Sequence, residues 1–465
     1  MTLIGTVVYL AGIAGLFILE RERGAKTSRA LWIPIIWLMI NASRPVSEWL
    51  QMGSPSAIDE SVEGSPLDRN FFFLLIALGA YFLFQRQQKV IRFLRSNPWI
   101  VVFVIYCALS VVWSDYADVA LKRWIKSLGD FIMVLIVLTE AQRLNAIKRL
   151  FSTTSFILMP LSVMLIKYYP DMSRYYSPWE GTMYVSGVSV DKNMLGMTCL
   201  VCGLATLWRV LEVWQNEKGK KRTLRLMAHG TVLGMTLWLF WMANSMTSLS
   251  CFLMAGSLMT VTTLVPMARK RTVVHLLVLG VVCVSASTLF LNFGGGALET
   301  MGRNSTLTGR TEIWKGLLQI SDSPLLGAGF ESFWVGDRLR MIWGMNGYLY
   351  GVNEAHNAYL QVFLNLGWIG VGMLIGIIFK GYRNVIAVLR EDRTVGGLAL
   401  GFFVAAIIYG FTEASAFGMM SPIWIAFLLA TLTIPAPAKL EEGPADAPAA
   451  EMFRGARVDP VGMSV

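Results

Sequence analysis

Residues 357–379 read NAYLQVFLNLGWIGVGMLIGIIF, without a single Lys, Arg, Asp or Glu. A helix rises about 1.5 Å per residue, so this stretch exceeds the roughly 30 Å of a bilayer's hydrocarbon core. It predicts a membrane-spanning helix, and the same reading extends to both sides. Apolar stretches predict further helices near 2–19, 30–42, 70–86, 99–114, 127–140, 150–167 and 193–212. Others follow near 228–243, 246–267, 274–293, 397–413 and 417–434.

The composition agrees. With 55% hydrophobic and 15% charged residues among 465, no compact soluble domain could bury the apolar side chains. The expectation is an all-α, polytopic integral membrane protein of about 12–13 transmembrane helices, forming a single transmembrane domain over 1–435. One long outer loop, about 294–356, holds short helices. Residues 436–465 are rich in Pro, Ala, Glu and Gly and predict a disordered cytoplasmic tail. The first apolar stretch has no Lys or Arg before it and reads as a retained helix rather than a signal peptide.

The net charge of +10 lies between the spans and forms no exposed basic stripe, which excludes a nucleic-acid partner. With the N-terminus outside, 27 of the 40 basic residues fall on the cytoplasmic side and 13 on the outer side. Lys218, Lys220, Lys221, Arg222 and Arg225 in one inner turn show the bias most clearly. All five cysteines lie in apolar spans and read as small packing residues, Cys199 and Cys202 included.

Three outer loops exceed a tight turn: 43–69, acidic at Asp59, Glu60 and Glu63; 168–192, aromatic and mixed; and 294–356, the longest. The last carries the chemistry. Of three histidines, His229 and His275 fall at inner helix ends, whereas His356 sits where the long loop meets the 357–379 span. A lone interfacial histidine also snorkels or caps a helix, so its neighbours matter. Thr308-Gly309-Arg310-Thr311-Glu312-Ile313-Trp314 leads into Leu317 and Leu318 at helical spacing, predicting a short amphipathic surface helix. Arg310 would stand at its N-terminus, where free backbone N–H groups and a forked guanidinium suit a phosphate. Between Arg310 and His356 run Trp334, Trp343, Tyr348 and Tyr350, platforms for sugars or head groups. Beyond His356, the glycines 367, 370, 372 and 376 predict close helix packing.

Taken in order, Gly309-Arg310 with Trp314, Pro324-Leu-Leu-Gly327-x-Gly329, and His356-Asn357 with Gly367-x-x-Gly370 resemble the O-antigen ligase and O-antigen polymerase superfamily. Trp113-Ser114-Asp115, Gly187 with Lys192-Asn193, and Ser245-x-Thr247-Ser248 extend the likeness, with a ligase-like core at about 187–415. The resemblance implies a metal-independent glycosyltransferase with no cofactor, in a bacterial inner membrane with its site facing the periplasm. The donor would be a polyprenyl-diphosphate-linked oligosaccharide. The acceptor would be a glycan or lipid A-core hydroxyl, with membrane lipids and polysaccharide-assembly proteins as further partners. No Asp-x-Asp pair or Asp-rich outer loop offers a Mg or Mn site.

In that chemistry a neutral imidazole suits the general base, and an arginine suits the developing charge of the diphosphate. His356 and Arg310 take these catalytic roles. The family uses a second arginine from an earlier outer loop, for which this sequence offers Arg174 in Ser173-Arg174-Tyr175-Tyr176, with Lys192 and Asn193 nearby, though no pattern there is as tight as Gly309-Arg310. Two readings stay open for Arg174: a diphosphate contact and a plain surface charge. Lys122 and Arg123 follow the Trp-Ser motif, where snorkelling explains them equally. Asn357 and Glu312 complete the substrate-binding set. Glu354 and Glu413 are acidic candidates, and Glu413 would be costly unless paired with Arg310 or Arg174. Ligase and polymerase differ only in acceptor, and the Lys-Asn helix opening leans toward the polymerases. A transporter or flippase would call for deep charges, broken helices or an internal repeat, none of which is clear in the sequence. A scaffold would leave the Arg310 and His356 pair unexplained.

Overall fold

In the computed structural model the described residues are 2–20, 27–51, 65–176, 181–290, 307–321, 323–345 and 351–432; no side-chain account covers 269, 288–290, 307–309 or 311–312. The acidic residues Asp59, Glu60 and Glu63, the aromatics Tyr348 and Tyr350, the Glu312 side chain and the 436–465 tail therefore lie outside the description.

Each expected span is met by a helix. The first set is α1 (Thr2–Glu20), α2 (Trp32–Asn41), α3 (Pro66–Phe84), α4 (Gln87–Ser96), α5 (Pro98–Leu109), α6 (Ala117–Leu138) and α7 (Arg143–Tyr168). Then come α8 (Lys192–Asn216), α9 (Gly219–Ala243), α10 (Met246–Leu264) and α11 (Arg271–Phe290). The long loop contributes α12 (Leu307–Gln319) and α13 (Gly336–Met345), and the chain closes with α14 (Ala358–Glu391), α15 (Arg393–Tyr409) and α16 (Pro422–Thr431). Among the described residues seven helices are long and apolar enough to cross a membrane, or eight if the pair bent by 94° at α4 is one span; four more are apolar but shorter. The protein is an all-α, multi-pass membrane protein. Its β-structure among the described residues is a three-residue hairpin, β1 (Arg174–Tyr176) with β2 (Met183–Val185).

α7, α8, α14, α15 and α16 pack into the main core, with Trp37, Phe156, Phe240, Phe402 and Phe427 buried in it. α1 and α3 lie at the periphery and leave most of their surface to lipid. At one end of the helix bundle, Glu20 of α1 meets Arg209 of α8 at 2.6 Å and His229 of α9 at 3.0 Å. Arg225 pairs with Glu217, and Lys148 and Arg209 both meet Glu212. Mutual neutralisation makes these buried charges tolerable, and it places His229 in a structural role.

The glycine-bearing α14 is not one continuous rod. Gly367 has φ 63° and ψ −167°, breaking the helix, and the loop of residues 324–329 docks into the break. Trp368 N–H donates to Pro324 O (2.9 Å) and Ile369 N–H to Leu325 O (3.3 Å). In return Ala328 N–H donates to Leu364 O (3.0 Å) and Gly329 N–H to Asn365 O (2.9 Å). The Tyr106 hydroxyl donates to Leu366 O at 3.1 Å. An unsatisfied backbone group at membrane depth costs several kcal/mol, so the break exists because the loop fills it. The expectation of glycines as packing residues is thus corrected at Gly367. It holds at Gly376, which leaves room for the Trp99 ring, while a Cβ on Gly372 would meet nothing within 4 Å.

Above the break sits a second, smaller core of Leu317, Ile320, Phe333, Ile342, Ala355 and Leu364, with Ile313 partly buried against it. The amphipathic reading of α12 is met by Ile313 and Leu317, whereas Leu318 faces outward, 51% exposed.

Candidate functional site

His356 is the residue before the N-cap of α14, and it adopts a left-handed backbone with φ 46°. A β-carbon makes that conformation costly, so the flanks must hold it. Trp314 Nε1–H, one turn after Arg310 on α12, donates to Ala355 O at 2.8 Å. Gln361 Oε1 accepts from Ala355 N–H at 3.2 Å and from Trp334 Nε1–H at 2.9 Å. On the other flank Ala358 N–H donates to Gly410 O at 2.8 Å, and Asn357 Nδ2–H to Phe411 O at 3.2 Å. The Asn357 side-chain oxygen caps α14 by accepting Leu360 N–H at 2.9 Å. Asn357, expected to bind substrate, thus caps α14.

The imidazole enters a charged cluster. Nδ1 of His356 lies 2.8 Å from Oε1 of Glu354, an ion-pair contact bent out of hydrogen-bond alignment. Donor atoms of Glu354, His356 and Glu413 all fall within 4.8 Å of one another, and Nη2 of Arg310 stands 3.9 Å from Oε1 of Glu413. The long loop and the turn after α15 thus bring Arg310, Glu354, His356 and Glu413 to one place. Burial lowers the pKa of His356, but the contact with Glu354 and the charge of Glu413 outweigh it against Arg310, and the net shift is upward from 6.5. For Glu413, 7% exposed, burial and then the Glu354 charge push the pKa up to about 7, with His356 and Arg310 opposing.

Three donors this close could hold a small cation, and they form no Asp-rich loop in the sequence. The Arg310 guanidinium already supplies positive charge beside Glu413, and we read the three as ionisable groups around Arg310.

Among the described residues, the other expected ones make contacts of their own. Arg174 is exposed on β1 and donates to Ile166 O at 3.3 Å; among the described residues no ion pair joins it to the cluster. Lys192 holds its ammonium 3.4 Å from the Tyr184 ring centroid, and its N–H donates to the Tyr175 hydroxyl, which binds the hairpin to α8. Asn193 is exposed, its N–H accepted by the Asp191 N-cap at 2.7 Å. Lys122 is exposed, whereas Arg123 reaches Glu331 O and buttresses the docking loop. The Trp113-Ser114-Asp115 motif clasps the chain that follows that loop: Ser114 meets Ser332 at 2.8 Å and Asp115 meets Arg338 of α13 at 2.7 Å. Ser245 and Ser248 pack against Gly196 of α8. Trp314 and Gln361 are the contributors whose roles the sequence does not announce: Trp314 is legible only as a motif member, and Gln361 carries no local signal.

Residues 231–375 match the family model described as O-Antigen ligase. That segment contains Arg310, Trp314, the docking loop, His356 and Gly367, but not Glu413. Exopolysaccharide production protein ExoQ of Rhizobium meliloti (strain 1021) is 26% identical over 337 residues, covering 69% of this chain and 73% of that protein. With the motif set that lies inside the matched segment, these likenesses support membership of this chain in the O-antigen ligase and O-antigen polymerase superfamily.

Proposed function

We propose that this protein is a metal-independent glycosyltransferase of the bacterial inner membrane, working at its periplasmic face. It joins a glycan carried on a polyprenyl diphosphate to an acceptor hydroxyl. The observation that carries this reading is the meeting of Arg310 with the Glu354–His356 pair beside Glu413.

Glu354 beside Nδ1 favours the ring proton there and leaves Nε2 as the acceptor. The acceptor hydroxyl attacks the anomeric carbon, its proton passes to Nε2 of His356, and the bond from that carbon to the diphosphate oxygen breaks. Negative charge grows on the departing lipid diphosphate, where Arg310 is permanently cationic and forked to meet it. Arg174, Lys192 and Asn193 are outlying contacts for the rest of the donor. The likeness to an exopolysaccharide production protein favours a polymerase, with a second lipid-linked glycan as acceptor, over a ligase acting on lipid A-core.

The test is glycan transfer from a purified lipid-linked donor in detergent, with His356→Ala and Arg310→Ala beside the wild type. Loss of covalent product in both variants is expected. Full activity in both would overturn the mechanism, and movement of labelled lipid across liposomes without any product would mark a transporter.

A further inference from the structure

Arg310 cannot serve two anions equally well. In the structure its guanidinium faces Glu413, whose side chain is 9% exposed and therefore little screened by water. The groups facing Glu413 come from every neighbouring element: Arg310 from α12, Glu354 and His356 from the turn before α14, and Asp191 at the N-cap of α8. Among the described residues Cys251 of α10 and Tyr409 of α15 complete the set. Two of them, Glu354 and Asp191, are acids. A diphosphate settling on Arg310 adds at least two more negative charges to this cluster, and among the described residues Arg310 is the strong cation there to meet them.

Resting on the reading of Arg310 as the diphosphate ligand, we propose that donor binding is coupled to proton uptake by Glu413. The ionised carboxylate is the counter-ion of Arg310 in the empty site, and the neutral acid is the form present when the diphosphate occupies it. Glu413 is then a positioning residue that acts through Arg310. Its protonation frees the guanidinium for the donor, and its deprotonation after transfer re-forms the pair and helps expel the lipid diphosphate. An acid held at about 7 can change state for either step near neutral pH.

The experiment is calorimetric titration of farnesyl diphosphate, a soluble polyprenyl diphosphate, into the full chain in detergent. It is run at pH 7.5 in two buffers of different ionisation enthalpy and repeated across pH 6–8.5. Ionisation of the ligand itself contributes equally to every variant. Glu413→Gln should take up about one proton fewer than the wild type, and its affinity should fall less steeply with pH, by a factor approaching ten per unit above about pH 7. His356→Gln should still take up a proton, at a higher pH than the wild type, because the imidazole no longer opposes protonation of Glu413. Equal uptake and equal pH slopes in wild type and Glu413→Gln would overturn the coupling, as would loss of the uptake in His356→Gln at every pH from 6 to 8.5. Should Glu413→Gln not survive purification, absence of any proton uptake by the wild type overturns it as well. Arg310→Ala separates the two claims. Undiminished binding in that variant removes the functional reading, whereas weakened binding together with equal slopes in the other two leaves that reading standing and removes the coupling alone.

Discussion

At His356 a non-glycine residue is held left-handed by Trp314 and Gln361 on one side and Asn357 on the other, with a carboxylate beside its ring. Transfer by His356→Ala is expected to fall by about 10²–10⁴ in kcat, the usual worth of a general base. The sign of the pH effect follows from the neighbours. Glu354 raises the His356 pKa, and the base works only when neutral, so activity rises with pH through that pKa. Glu354→Gln removes the largest upward influence, and the acid limb of the kcat profile should move to lower pH. A limb that stays in place would show that Glu354 does not govern the ring. Because Arg310 already supplies the positive charge, exhaustive EDTA treatment should leave the transfer rate unchanged. Loss of activity restored by Mg would turn the cluster into a cation site.

At the scale of elements, the 324–329 loop and the broken α14 form one unit, each completing the other's backbone hydrogen bonds. A Cβ on Gly327 would come within 2.4 Å of the Asn365 carbonyl carbon, and one on Gly367 within 2.2 Å of Leu325 O, with positive φ at both. Neither neighbour is a side chain that could swing away. Gly327→Ala and Gly367→Ala should each lower the thermal unfolding midpoint in detergent sharply, with losses of about 4 kcal/mol or more. Gly372→Ala, with open space around it, should stay within about 0.5 kcal/mol of wild type. Equal behaviour of all three would remove the interlock. The same elements mark what was legible. The 357–379 stretch announces a membrane helix by composition alone, but hydropathy is blind to backbone pairing, so the break at Gly367 and the purpose of Pro324–Gly329 were hidden. Arg310 and His356 stood out as motif residues, and the need of Glu413 for a cationic partner followed from its cost in a membrane. That Glu354 would meet His356 depends on an irregular turn that no periodicity encodes.

For the whole molecule, the alternation of helices puts α12, α13, the hairpin and the starts of α8 and α14 at one end, and the Glu20–Arg209–His229 network at the other. Orientation then rests on the distribution of Lys and Arg. In a cysteine-free background, Arg340→Cys should react with a membrane-impermeant maleimide added to intact cells, since Arg340 is 82% exposed on α13. Lys220→Cys, at the basic start of α9, should react only after the membrane is opened, and the reverse pattern would invert the topology. The interlock at Gly367 also bears on biogenesis. The chain leaves the ribosome N-terminus first, so Pro324–Gly329 is made before the helix it completes. The stretch around Gly367 therefore never has to enter the bilayer with its amides bare. A circular permutant opened between the two would reverse that order and should fail at insertion even though every residue is still present.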